Sequence, residues 1–148
     1  MATVKTQDYH SSITTEITPK ETFNKISEVS KWWSLIFEGS SSKLGDVFTN
    51  HFKNGDWYEI KIDEMIPDKK IVWNVIDSDQ TWHEDRKEWT GTKIVWEISP
   101  VKNGSKVTMT HLGLTPEVEC YDQCKMGWDY LLKESLYKYL TGGAGMPV

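Results

Sequence analysis

The sequence predicts an α+β domain: a curved antiparallel sheet of about six strands closed against one long C-terminal helix. Two observations carry this. The first is the segment from Thr115 to Thr141, the only long stretch with a helical period. At about 100° per residue, Cys120, Cys124, Trp128, Leu131, Leu132, Leu136 and Tyr139 share one arc, while Asp122, Gln123, Asp129, Lys133 and Glu134 share the other. A helix this long is not stable by propensity alone, so its apolar stripe must lie on another layer. The second observation is that from Asp46 onward the apolar period changes to two, with hairpin signals at Asn54-Gly55 and Asn103-Gly104.

Taken in order, residues 1–7 read as a loose end. Residues 9–17, YHSSITTEI, are rich in β-branched side chains and read as the first strand. Thr18-Pro19 starts a short helix with Phe23 and Ile26 on one face, and residues 29–33 read as a second short helical turn with Ser30 as its cap. The run GSSSKLG is a loop by composition. Phe48, Asn50 and Phe52 then alternate with Val47, Thr49 and His51, and Tyr58, Ile60 and Ile62 with Glu59, Lys61 and Asp63. Pro67-Asp68 is a turn. The run IVWNVI at 71–76 is the apolar pattern of a strand buried on both faces. Residues 78–91 form a long polar connection whose acidic side chains are expected at a solvated rim. Strands follow at 93–99 and 106–112. Thr115-Pro116 is the expected start of the long helix, and Gly142-Gly143 its end.

The 148 residues make one domain, 1–148, with no internal repeat. A net charge of −5 with scattered lysines argues against a nucleic-acid or anionic-membrane partner, since both demand clustered positive charge. No window approaches the ~20 apolar residues of a membrane span, and MATVKTQ is unlike a signal peptide, so a cytoplasmic protein is expected. Cys120 and Cys124 lie one helical turn apart. Helix geometry splays such side chains, so two reduced thiols are expected there, metal-free and with at least one facing the sheet.

The segments GTKIVWEISPVKNGSKVTMTHLGL, CKMGW and SLYKYLTGGAGMP resemble those of the family named for activators of the ninety-kilodalton heat-shock protein ATPase. That family lies within the START-like (SRPBCC, Bet v 1-like) helix-grip superfamily. The resemblance spans essentially the whole chain by element order, with its more specific motifs between Gly91 and Pro147. It implies a sheet gripping the long helix, two short helices after the first strand, and a cavity between. Such folds host carriers, cyclases and chaperone partners alike, so the resemblance fixes no activity.

The chemistry legible in the residues is sparse. The four histidines show no metal-ligand spacing, no G-x-S-x-G elbow occurs, and neither a Walker loop nor G-x-G-x-x-G is present. No catalytic residue, metal or cofactor is therefore assigned. On the last strand Val107, Met109 and His111 share a face, and the resemblance implies that this face turns toward the helix. It would aim His111 into the interior, near Tyr58, Asn50 or Trp96, as a proton carrier or as a satisfied core residue. Eight tryptophans are unusual in a chain of this size and point to a core or a cavity built from rings. The candidate cavity residues on the sheet and short helices are Trp33, Phe48, Tyr58, Ile60, Trp73 and Trp96. From the last strand and the long helix come Met109, His111, Cys124, Trp128 and Leu132. Met126, Tyr130 and Tyr137 make a second stripe on that helix, for packing or for a partner.

The leading expectation is a small-molecule binding domain, holding an apolar or aromatic ligand between sheet and helix, as a monomer or weak homodimer. The alternatives are a chaperone-interaction module, from the resemblance, and a cyclase-like or hydrolytic enzyme using His111 and Tyr58.

Overall fold

The computed structural model describes residues 8–148; the expected loose end at 1–7 lies outside them. Strand β1 (Tyr9–Thr15) leads into helix α1 (Pro19–Ser27), then a single 3₁₀ turn (Val29–Lys31). Strands β2 (Ile36–Gly39), β3 (Val47–His51), β4 (Trp57–Ile66), β5 (Lys70–Asp79), β6 (Lys93–Val101) and β7 (Gly104–Leu112) follow. The long C-terminal helix is α2 (Tyr121–Tyr130), a π-helical segment (Leu131–Leu136) and α3 (Tyr137–Leu140) in unbroken succession.

All the strands pair antiparallel in one seven-stranded sheet of order β1-β7-β6-β5-β4-β3-β2. Only the step from β1 to β2 crosses the sheet, and α1 with the 3₁₀ turn carries it. β2 is the strand the sequence reading did not assign. Its four residues have no apolar alternation, and Ile36 is exposed, so only pairing with β3 marks it as a strand. Thr18 caps α1 by accepting a hydrogen bond from the Glu21 amide, with Pro19 in the first turn. Ser30 does not cap the following turn; it lies inside it, and Glu28 takes the cap position. Asp68 and Asn103 hold left-handed backbone conformations at the β4–β5 and β6–β7 turns, as tight hairpins demand.

One face of the sheet supplies the core. The expected alternations hold: Phe48 and Asn50, Tyr58, Ile60 and Ile62, and Val107, Met109 and His111 are all buried. Trp128, Leu131 and Leu132 of the long helix are buried with them. On β5, Ile71 to Val75 is largely buried, but Ile76 emerges on the outer face.

The long helix departs from expectation at both ends of its stripe. It begins at Tyr121 rather than Pro116, because 115–120 form successive turns instead. A side chain from elsewhere fixes that start: the Glu88 carboxylate accepts the backbone N–H groups of Glu119 and Cys120 at 3.0 and 3.1 Å. An anion placed there complements the partial positive charge of a helix N-terminus. Further along, the π-helical segment widens the turn, so that Trp128, Leu132, Leu136 and Leu140 all stay on the buried side. A uniform α-helical wheel puts Tyr139 in that place instead. Ser135 is buried there too, donating to the Trp32 carbonyl at 2.6 Å and accepting from the Met146 amide.

The start of the helix also corrects the cysteine expectation. Cys120 and Cys124 are joined by a disulfide. Cys120 is the cap residue rather than an interior one, with a backbone that departs from helical values, and its Cα lies 5.6 Å from that of Cys124. The splay argument applies to two residues inside a regular helix, and this pair straddles its end. Among the described residues no helix is long and apolar enough to cross a membrane.

At the β6–β7 hairpin, β1 packs tightly enough to make a prediction. A Cβ added to Gly104 would sit 1.8 Å from the Thr15 carbonyl oxygen, which is backbone and cannot rotate away. Gly104→Ala should push β1 from β7 and cost about 1–3 kcal/mol or more. Thermal unfolding, with amide exchange over residues 9–15, would record it; an unchanged β1 would refute the clash.

Candidate functional site

A cleft of about 450 Å³ opens between the lower half of the long helix, the ends of β3–β5 and the connection 80–92. Four rings make one wall. Tyr58 and Trp89 stack at 4.3 Å, Trp89 and Trp128 lie within 6° of parallel at 5.9 Å, and Trp33 meets Trp128 at 5.1 Å. Offset and tilted pairs of this kind are the favoured arrangements of aromatic quadrupoles. Each ring comes from a different element, which fixes its plane: Trp33 after the 3₁₀ turn, Tyr58 on β4, Trp89 on the connection, Trp128 on α2.

The polar groups are few and mostly committed. Asp56 accepts from Thr81 N–H at 2.7 Å through Oδ1, and from Trp82 Nε1–H at 2.6 Å through Oδ2. It pins the rim of the cleft rather than offering a free carboxylate. Gln80 is fully buried and donates from Nε2 to the Tyr58 hydroxyl at 3.1 Å and to Cys124 Sγ at 3.6 Å. Burial pushes the Tyr58 hydroxyl well above the ordinary phenol range. Two buried polar atoms of the cleft-lining residues have no protein partner: the Gln80 carbonyl oxygen and the Trp89 indole N–H. Unpaired buried groups are costly and uncommon in native structures. The indole N–H groups of Trp73 and Trp96 also lack a partner, but they lie in the core and not in the cleft.

The C-terminal tail closes one end. Val148 donates its N–H to the Trp33 carbonyl at 2.9 Å and accepts from Leu35 N–H at 3.2 Å, which brings its side chain to the rim.

Of the residues anticipated from sequence, Trp33, Tyr58, Cys124 and Trp128 line the cleft. Phe48, Ile60, Trp73, Trp96, Met109 and Leu132 are fully buried in the core beneath it. His111 is also beneath it, and both ring nitrogens are engaged. Nδ1 accepts from Trp128 Nε1–H at 3.0 Å; Nε2 therefore carries the proton and donates to Thr92 Oγ1 at 2.8 Å. Thr92 in turn donates to the Trp89 carbonyl at 2.6 Å. Burial pushes the His111 pKa down to about 3, so the ring is neutral at physiological pH. Its partners are Thr92 and Trp128; Tyr58 pairs instead with Gln80.

Gln80, Trp82, Trp89 and Asp56 were not anticipated. The signal was two tryptophans inside an otherwise polar connection, which reads as a rim until the chain is seen folding Trp89 inward. That connection corrects a second expectation. Glu88 is not a solvated rim residue: its Oε1 lies 2.7 Å from Nε2 of His83, which is itself buried. Desolvation would raise the Glu88 pKa, but the bonds from His83 and from the Cys120 and Glu119 amides outweigh it and hold the carboxyl below its usual range.

The profile of the family described as Activator of Hsp90 ATPase homolog 1-like protein matches residues 21–141. The chain belongs to that family. Its fold is the START-like, SRPBCC helix-grip fold. The solution structure of the Aha1 dimer from Colwellia psychrerythraea superposes with a TM-score of 0.74 at 22% identity, over 92% of this chain and 97% of that one. DynU16, from the dynemicin biosynthetic locus, gives 0.69 at 14% identity over 95% of this chain but 49% of its own. Protein SSP2350 from Staphylococcus saprophyticus gives 0.69 at 16%, over 95% and 97%. At these identities the neighbours establish the fold of this Activator of Hsp90 ATPase homolog 1-like chain and nothing narrower. No curated protein sequence matches at a significant level.

Proposed function

We propose that the protein binds a planar, largely apolar small molecule in the ring-walled cleft, without transforming it. One observation carries this reading: a cleft of about 450 Å³ faced by Trp33, Tyr58, Trp89 and Trp128, whose lining residues also hold an unpaired acceptor on Gln80 and an unpaired donor on Trp89. Ligand sites of this size combine apolar walls with a few polar atoms that set orientation. A flat ring system would stack on these walls. The two unpaired atoms lie buried behind the cleft surface, and a donor and an acceptor at the ring's edge would reach them once those side chains turn outward. The proton chemistry needed for an enzyme has less support, because His111 is fully bonded and lies below the cleft, and the Tyr58 hydroxyl is held protonated.

Flat heteroaromatic compounds should quench tryptophan fluorescence and raise the melting temperature, by ~2.7 kcal/mol of added stability at a hundredfold excess over Kd. Gly127→Phe tests the location. Gly127 lines the cleft and an added Cβ meets nothing within 4 Å, so the variant should fold normally and lose the response. A broad screen giving no shift, or an undiminished shift in Gly127→Phe, would sink the proposal.

The chaperone reading rests on the family's description together with exposed Met126, Tyr130 and Tyr137 on the long helix. It predicts no ligand response and a loss of heat-shock-protein binding in Met126→Asp.

A further inference from the structure

His83, Glu88 and Cys120 come together where the connection 80–92 meets the start of α2, on the far side of the cleft wall formed by Cys124. One ligand atom from each lies within 4.8 Å of the others. His83 and Cys120 are buried. The imidazole is gripped at both nitrogens, by Glu88 Oε1 at Nε2 (2.7 Å) and by Glu119 Oε2 at Nδ1 (3.1 Å). Two carboxylates thus converge on one buried ring, and one of them, Glu88, is also the carboxylate of the cluster with Cys120. A carboxylate on the outer nitrogen of a histidine is also how metal-binding imidazoles are held in orientation.

We propose that reduction of the Cys120–Cys124 disulfide exposes a site for one thiophilic divalent cation of the zinc class, with Cys120, Cys124, His83 and Glu88 as ligands. A dithiol delivers two electrons and two protons to the S–S bond and leaves as its own disulfide, giving two thiols. The cation then displaces both thiol protons to solvent. Two sulfurs, an imidazole nitrogen and a carboxylate oxygen form a donor set that zinc accepts in tetrahedral geometry. Glu119 stays on His83 Nδ1 as the orienting group. The amides of Glu119 and Cys120 already hold the Glu88 carboxylate in place; to admit the cation, His83 Nε2 gives up its contact with Glu88 Oε1 and the freed sulfurs turn. Oxidised, the same sulfurs are spent on each other and the site is closed. Cys124 also lines the cleft, so the two sites share a residue, but zinc binding and aromatic binding are read separately.

The test uses the full chain, reduced with a dithiol and desalted under argon, against the oxidised chain, each given zinc chloride. Elemental analysis should find one zinc per reduced chain and none per oxidised chain. Cobalt chloride in place of zinc should give the near-ultraviolet sulfur-to-cobalt charge-transfer absorption. Zinc should protect both thiols from iodoacetamide. His83→Ala should weaken binding by more than about tenfold, and Glu119→Gln by about tenfold. A reduced wild-type chain that takes up no zinc overturns the proposal, as does cobalt bound without the sulfur band. Both readings need no variant, so they stand even if His83→Ala does not fold. In a folded His83→Ala chain, unchanged affinity overturns the assignment of the nitrogen ligand.

Discussion

Trp128→Ala should destabilise the protein by about 4–6 kcal/mol, enough to bring a domain of ordinary stability close to unfolding at 25 °C. Trp128 is the hinge of the ring cluster, meeting Trp33, Trp89 and Trp96 at centroid distances of 5.1, 5.9 and 6.3 Å. Truncation of a buried aromatic removes its transfer energy and leaves a void that neighbouring rings are too stiff to fill. It also strips His111 Nδ1 of its donor. That second loss is the smaller one, because water entering from the cleft can partly replace the indole. Trp128→Phe separates the two, and should cost about 1–3 kcal/mol through the unpaired imidazole. Urea unfolding would measure both. If the phenylalanine variant loses as much as the alanine variant, the hydrogen bond, not the packing, dominates and the ring-cluster account is wrong.

Acid should unfold the protein earlier than its carboxylates alone would dictate. His111 has a folded pKa pushed down to about 3 by burial, against ~6.5 in an unfolded chain. Between these values the unfolded chain binds a proton that the folded chain refuses, so stability rises with pH. The contribution is fully present above pH ~6.5 and is lost progressively as the pH falls toward 3, up to roughly 4–5 kcal/mol in all. Glu88, Asp46, Asp77 and Asp79 have depressed carboxyl pKa values and act in the same direction, but only below about pH 4.5. The interval from 6.5 to 4.5 therefore lies above the carboxylates, and substitution tells His111 from the other three histidines. Urea midpoints should fall across it in the wild type and fall distinctly less in His111→Gln. A flat wild-type profile would mean that the folded chain accepts the proton.

Those two residues also mark how far sequence reading reaches. The faces of His111 and Trp128 were legible, because strand alternation and helix periodicity are local and survive folding. Which group His111 would bond was not, since Thr92 lies nineteen positions away and is invisible to either period. The helix start shows the same boundary. Thr115-Pro116 carries a good local signal, yet a carboxylate from residue 88 overrides it, and with the start the geometry of the cysteine pair changes. Gln80 and Trp89 were missed for a related reason: an irregular connection has no period, so nothing along the chain says which of its side chains turns inward. The π-helical segment was not legible either: a uniform wheel places Tyr139 on the buried arc, and only the widened turn puts Leu140 there instead.

The tail at Val148 has a practical consequence. A single label there would sit at the rim of the cleft, tethered through backbone pairing to Trp33 and Leu35 rather than swinging free. Because both native cysteines are tied to each other in the oxidised chain, a Val148→Cys substitution gives one addressable thiol. An environment-sensitive dye attached at that thiol would be next to the tryptophan wall and change emission when the cleft fills. The fold thus supplies the layout of a reagentless optical sensor, and its calibration against a compound library would double as the search for the natural ligand.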